Sequence, residues 1–186
     1  MKNVVLFAAL TTCAIALVPQ ATARQHGGER ARAAAKQAAP MAEALLRGIA
    51  AQRDETWRWQ RVMHRRRTPF GHTVGRNSSL AYRRWVLGLW QHRARAAKRQ
   101  AFRPPHRSQW LCIHRYEGAW TDPGAPYYGG LQMDVEFQRT YGLELYRAKG
   151  TADHWSPLEQ MWVAERAYRT RGFWPWPNTA RFCGLI

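Results

Sequence analysis

The sequence predicts an α+β chain that is mostly helical: a basic α-helical region, then a small domain with a short β-hairpin and one disulfide. Three observations carry this expectation. Charge is unevenly spread, with 20 basic against 4 acidic residues from Arg24 to Arg107, and 8 against 8 from Ser108 to Ile186. Helix caps and apolar residues at helical spacing recur through both parts, whereas Tyr127-Tyr128-Gly129-Gly130-Leu131-Gln132-Met133 has the glycine chemistry of a tight hairpin. Two of the three cysteines, Cys112 and Cys183, bracket nearly all of the second part. A hydrophobic fraction of 46 % with ten Trp excludes a wholly disordered chain. Beyond the first twenty or so positions there is no apolar run of ~20 residues, which excludes a multi-span membrane protein.

Residues 1–23 read as an export signal. Lys2 is a positive n-region, Val4 to Val18 an apolar core, and Ala21-Thr22-Ala23 a small-residue cleavage site. The alternative is a retained N-terminal anchor; a lipoprotein reading around Cys13 is weaker, because Thr12 is bulky for such a signal. The mature chain is then expected to begin near Arg24 and to be secreted or held at the cell wall, with no transmembrane span after signal removal.

Residues 24–107 read as a basic helical region, partly flexible. Gln25 to Ala39 is polar and rich in Ala and Arg, as a flexible lead would be. Pro40 is placed to open a helix through Ala51, with Met41, Leu45 and Ile49 on one face. A second helical stretch starts near Glu55, carries Trp57, Val62 and Met63, and is broken by Thr68-Pro69-Phe70-Gly71. A third begins at a Ser78 or Ser79 cap and runs to about Ala101, with Leu80, Trp85, Leu87, Leu89 and Trp90 among arginines. Pro104-Pro105 ends it and marks the expected boundary with residues 108–186.

Such a density of Arg binds polyanions by releasing their counterions, so nucleic acid has to be weighed. An exported protein rarely meets it, and no zinc-finger or RNA-recognition motif is present. Nucleic acid is therefore disfavoured as a partner. Anionic cell-wall polymers fit better, against the plainer reading of a solvated basic surface or spacer.

Composition changes near Gln109. Six of ten Trp and six of seven Tyr lie in the last 78 residues. In an exported chain Cys112 and Cys183 are expected to be oxidised, the alternative being two free thiols. Closing a loop of about 70 residues contributes roughly 4 kcal/mol on the chain-entropy account, which a domain this small needs. Trp110 to Tyr116 predicts a helix that Gly118 ends. Thr121 to Pro126 is turn chemistry. Phe137 to Lys149 predicts a helix interrupted at Gly142. Ser156-Pro157-Leu158-Glu159 combines an N-cap, Pro at N1 and a capping-box Glu, opening a helix through Tyr168 that stops at Gly172.

These residues carry a resemblance. Trp110, Cys112, Glu117-Gly118-Ala119-Trp120, Tyr127 to Gln132, the Val163-Ala164-Glu165-Arg166 helix and the terminal Trp-Pro with Cys183-Gly184 resemble the resuscitation-promoting-factor domain. That is a transglycosylase-like, lysozyme-like domain of actinobacterial cell-wall proteins, and the likeness covers about 75 residues, in order. It implies a lysozyme-like fold that acts on peptidoglycan glycan strands, with Glu117 as catalytic acid. It also implies a Cys112–Cys183 disulfide and a cleft wall from Tyr127, Tyr128, Gln132 and Trp120. The family has Glu directly after Cys; here Ile113-His114-Arg115-Tyr116 intervene, close to one helical turn, so both side chains can share a face. The Glu-to-Trp interval is shorter than the family's, and a Thr common after its Gln has no counterpart near Phe137.

The chemistry can be read without the family. Glycosidic cleavage needs a carboxylic acid still protonated near neutral pH, so its surroundings must be apolar. Glu117 lies among Trp110, Tyr116 and Trp120, and the disulfide is expected to bring Trp174 and Trp176 near; the alternative is a surface carboxylate paired with Arg115. A two-acid scheme requires a second carboxylate. Asp122 and Asp134 are the candidates, but one opens an Asp-Pro-Gly turn and the other is placed to start a helix. Glu165, beside Arg166 and Arg169, reads as an ordinary ion pair. The absence of an obligatory second acid favours a one-carboxylate route. Seven His show no zinc spacing, and no nucleotide or phosphate loop appears, so no metal or cofactor is expected. The same aromatic richness also suits a glycan-binding module without turnover, or an exported interaction protein.

Overall fold

The computed structural model describes residues 20–186 apart from 72–73 and 75–77. The leader reading on residues 1–19 lies outside these. Two compact units divide the chain, one up to Met41 and one from Ala42 onward. The described elements are mostly helical: α1 (Gln20–Val62), α2 (Leu80–Ala101), α3 (Arg107–Glu117), α4 (Val135–Lys149), α5 (Pro157–Arg171) and α6 (Pro177–Phe182). A two-stranded antiparallel sheet, β1 (Tyr127–Tyr128) with β2 (Met133–Asp134), pairs Tyr127 with Asp134 and Tyr128 with Met133. No described helix is long and apolar enough to cross a membrane.

Two expectations for the first part are corrected. Gln25 to Ala39, read as a flexible lead, lies within α1, and Pro40 lies inside that helix and does not open it. A proline removes one backbone donor but leaves the rest of the ladder, and its alanine-rich flanks have the highest helix propensity. Nothing between Ala51 and Glu55 breaks a helix either, so the two expected stretches are one.

The later elements follow their caps. Ser79 accepts from Tyr82 N at the start of α2. At α5 the Ser156 hydroxyl and the Glu159 carboxylate cap each other's backbone reciprocally. Gly142 leaves helical geometry inside α4 (φ −131°, ψ 22°), where Trp155 packs against it. Gly118, Gly150 and Gly172 follow α3, α4 and α5 as C-caps.

The largest core gathers Trp110, Ile113, Leu131, Met133, Phe137, Trp155, Val163 and Trp176 around α5. A second cluster, Trp59, Met63, Ala97, Ala101 and Trp162, joins α1 and α2 to the opposite side chains of α5. Trp162 Nε1 donates to Ala101 O at 2.8 Å, which occupies a carbonyl at the end of α2. A third, Ile49, Val86 and Trp90, holds α1 to α2.

Candidate functional site

The site is built where α3 meets α6. The disulfide Cys112–Cys183 joins the two helices, with Cα atoms 6.1 Å apart. Four residues after Cys112, Tyr116 packs on Phe182, the neighbour of Cys183, with ring centroids 5.7 Å apart, and four residues before Cys183, Thr179 Oγ1 donates to Glu117 Oε1 at 2.7 Å. Cys112 and Glu117 therefore both reach α6, despite the four residues between them.

Glu117 is half-buried at the last position of α3. Burial raises its pKa above the usual carboxylate value, and the Thr179 hydroxyl opposes the rise by stabilising the charged form. This is the electrostatic setting of a general acid: a carboxyl held partly out of water, with one neutral hydrogen-bond donor and no ion pair to a cation among the described residues. The alternative partner, Arg115, is exposed and makes no ion pair with it.

A groove of about 460 Å³ has walls that include Tyr127, Gln132, Asp134, Tyr141, Arg171 and Trp176. Glu117 does not itself line the groove. Its link to the groove runs through neighbours: a Cβ on the adjacent Gly118 would lie 3.2 Å from the wall residue Gln132, and its partner Thr179 is three residues after the wall residue Trp176.

The sequence-predicted wall residues divide by what holds them. Tyr127 is half exposed and lines the groove, and Tyr128 packs against the core. Gln132 lines the groove while its Nε2 donates to Asp122 Oδ2 and Gly129 O, both at 3.0 Å. Trp120 stacks on His114 with ring centroids 4.0 Å apart. Asp122 is committed on both oxygens, to Gly124 N and to Gln132. Asp134 lines the groove and caps α4 by accepting from Phe137 N at 2.7 Å. Trp176 is buried, its Nε1 donating to Leu131 O, whereas Trp174 faces solvent.

Two backbone positions require glycine. A Cβ on Gly129, at φ +73°, would lie 2.6 Å from Gln160 Oε1; one on Gly130 would lie 2.6 Å from His114 and 2.7 Å from Trp120. The hairpin thus presses directly on His114 of α3, on Gln160 of α5 and on Trp120.

No protein-family model, no curated protein and no solved structure matches this chain. Its site rests on its own geometry. Among the described residues no cluster of three or more His, Cys, Asp or Glu could hold a metal ion.

Two residues were missed from sequence, and a third was misread. Thr179 lies in the aromatic tail without a catalytic motif around it; only its spacing of four from Cys183, one turn of helix, could have placed it on the Glu117 side. Gln160, fully buried, donates to the carbonyls of Trp120, Ala152 and Trp155 and so ties the loop carrying Trp120 to α5. Glu165 needs a correction: it binds neither Arg166 nor Arg169 but accepts from His106 N and Trp110 Nε1, and lies 3.0 Å from His106 Nδ1. It faces inward from α5, and anchors the start of α3.

Proposed function

We propose that this chain is an exported peptidoglycan-cleaving enzyme of lytic-transglycosylase or lysozyme type, acting on the MurNAc-GlcNAc bond with Glu117 as its single catalytic carboxyl. The observation that carries the reading is a half-buried glutamate of raised pKa, linked through its neighbours to a groove with polar and aromatic walls. The resemblance to resuscitation-promoting-factor domains adds to it and supplies the substrate class.

In this reading, protonated Glu117 donates to the glycosidic oxygen as the bond to the anomeric carbon breaks. The substrate's own N-acetyl oxygen stabilises the oxocarbenium-like centre. The Glu117 carboxylate then removes the proton of the muramic 6-hydroxyl, whose oxygen closes a 1,6-anhydro ring. Water in that hydroxyl's place gives a hydrated end instead. Support for a one-carboxylate route comes from Asp122 and Asp134, which are occupied by turn and cap hydrogen bonds. The basic residues of 24–107 would hold the enzyme on anionic wall polymers, with binding that weakens as salt rises.

A zymogram on purified peptidoglycan tests the proposal. Wild-type protein should clear it, and Glu117→Gln should lose on the order of 10²-fold or more of the rate. Mass spectrometry of the released fragments should find anhydro ends; hydrated ends alone would remove the transglycosylase step. Undiminished clearing by Glu117→Gln would remove Glu117 from the chemistry. The half-exposed Tyr127 favours a second reading, glycan binding without turnover, which predicts retention on peptidoglycan with no fragments released.

A further inference from the structure

A second cavity lies between the end of α1 and α4. Its volume is about 300 Å³, at the lower end of small-ligand sites. Val62, Tyr141, Leu145 and Ala148 give it apolar walls, and Arg58, Arg61 and Arg166 supply cations. Arg58 is already held by Glu55, and Lys149 by Glu159. Arg166 is different: its Nε is buried with no hydrogen-bond partner. Burial of the guanidinium brings its pKa down to about 10, against the attraction of Glu144.

The cavity adjoins a vestibule of about 280 Å³, sharing Arg61, His64 and Glu144 with it and adding Arg65, Arg66 and Arg67. One carboxylate there faces four arginines. The whole is therefore graded, from an apolar chamber to a strongly cationic mouth.

We propose that this cleft is a binding site for a single-chain amphiphile with a phosphate head, its hydrocarbon in the chamber and its head among the arginines. An inorganic anion alone would leave the apolar walls unfilled, and a neutral or cationic amphiphile would leave the arginines unanswered. Guanidinium groups suit phosphate through paired N–H donors. This site is independent of the Glu117 reading.

Isothermal titration of the full chain with monomeric octyl phosphate tests it, with inorganic phosphate and octyltrimethylammonium as the comparison ligands. The expected result is saturable binding of one octyl phosphate per chain, at least tenfold tighter than either comparison ligand. Ala148→Trp, which fills the chamber from an exposed position, and Arg61→Gln, which removes a shared cation, should each weaken it tenfold or more. Arg166→Gln should do the same; if that variant fails to fold, the other two carry the test. Absence of octyl phosphate binding overturns the proposal. Equal affinity for inorganic phosphate would reduce the cleft to a surface anion patch, and equal affinity for the ammonium amphiphile to apolar adsorption; either overturns it. So does unchanged binding by Ala148→Trp or by Arg61→Gln.

Discussion

Glu117 is governed by two opposing influences, loss of water and the hydroxyl of Thr179, and each can be moved separately. Replacing Thr179 with Val removes the donor that favours the carboxylate, leaving desolvation unopposed and the pKa higher. A general acid must be protonated to act, so the rate falls as pH rises through its pKa. In Thr179→Val the alkaline limb of the pH-rate profile should therefore shift to higher pH, as measured by fragment release across buffers; a limb that stays in place would detach Thr179 from the acid. Stability gives an independent reading of the same carboxyl. A folded-state pKa raised above the unfolded one stabilises the fold fully below the unfolded pKa and loses that contribution as pH rises through the folded pKa. Glu117→Gln should consequently match or exceed wild type in Tm at pH 7, and the comparison should move in favour of wild type as pH falls to 3. The partial burial of Glu117 accords with the aromatics that flank it in the chain. Thr179 was not legible in sequence, because its partner lies 62 residues away and only the pairing of α3 with α6 brings them together.

At the scale of elements, local rules succeeded where a side chain closes its own turn. Ser79 and Ser156 sit at the starts of α2 and α5 because a hydroxyl satisfies a free backbone N–H there, and that requirement is visible in four residues of sequence. Pro40 misled for the complementary reason: a proline signals a helix start only when nothing else sustains the turns before it. The hairpin was legible from its paired glycines, whereas the burial of Gly129 against Gln160 depends on α5 and was not. The α3–α6 pair is the element on which the site depends, and its two helices are short, 11 and 6 residues. Such helices are not stable alone, so the disulfide across a separation of 71 residues is expected to contribute roughly 4 kcal/mol. Cys112→Ser with Cys183→Ser should lower the unfolding free energy by about that amount in urea titrations. It should also cost activity at temperatures where the fold persists, because Glu117 and Thr179 lose the brace that sets their approach. A double variant as stable and active as wild type would show that core packing alone holds α6.

For the molecule as a whole, the step in charge after Arg107 is plain in sequence, yet residues 42–186 form one compact unit. What joins the basic helices to the aromatic segment is α5, whose residues from Glu159 to Glu165 are all buried. A helix on the surface would show one apolar stripe and one polar face; α5 instead directs Met161, Val163 and Ala164 into the larger core and Trp162 into the cluster with Trp59 and Ala101. The mixed pattern of Leu158, Met161, Trp162, Val163 and Ala164 carried that information, but without the partner surface a second apolar face is indistinguishable from a generous first one. Trp162, 4 % exposed and hydrogen-bonded to Ala101 O, is the side chain through which the two parts meet. Trp162→Ala should cost about 3–5 kcal/mol, from the lost apolar contact, the cavity left behind and an unanswered carbonyl. Because α5 also holds Gln160, which fixes the Trp120 loop, the variant's loss of stability should be accompanied by weaker retention on peptidoglycan. Chemical denaturation and a pull-down on purified walls measure the two effects. A stability loss below about 1 kcal/mol would mean that the basic helices and the aromatic segment are joined elsewhere than at Trp162.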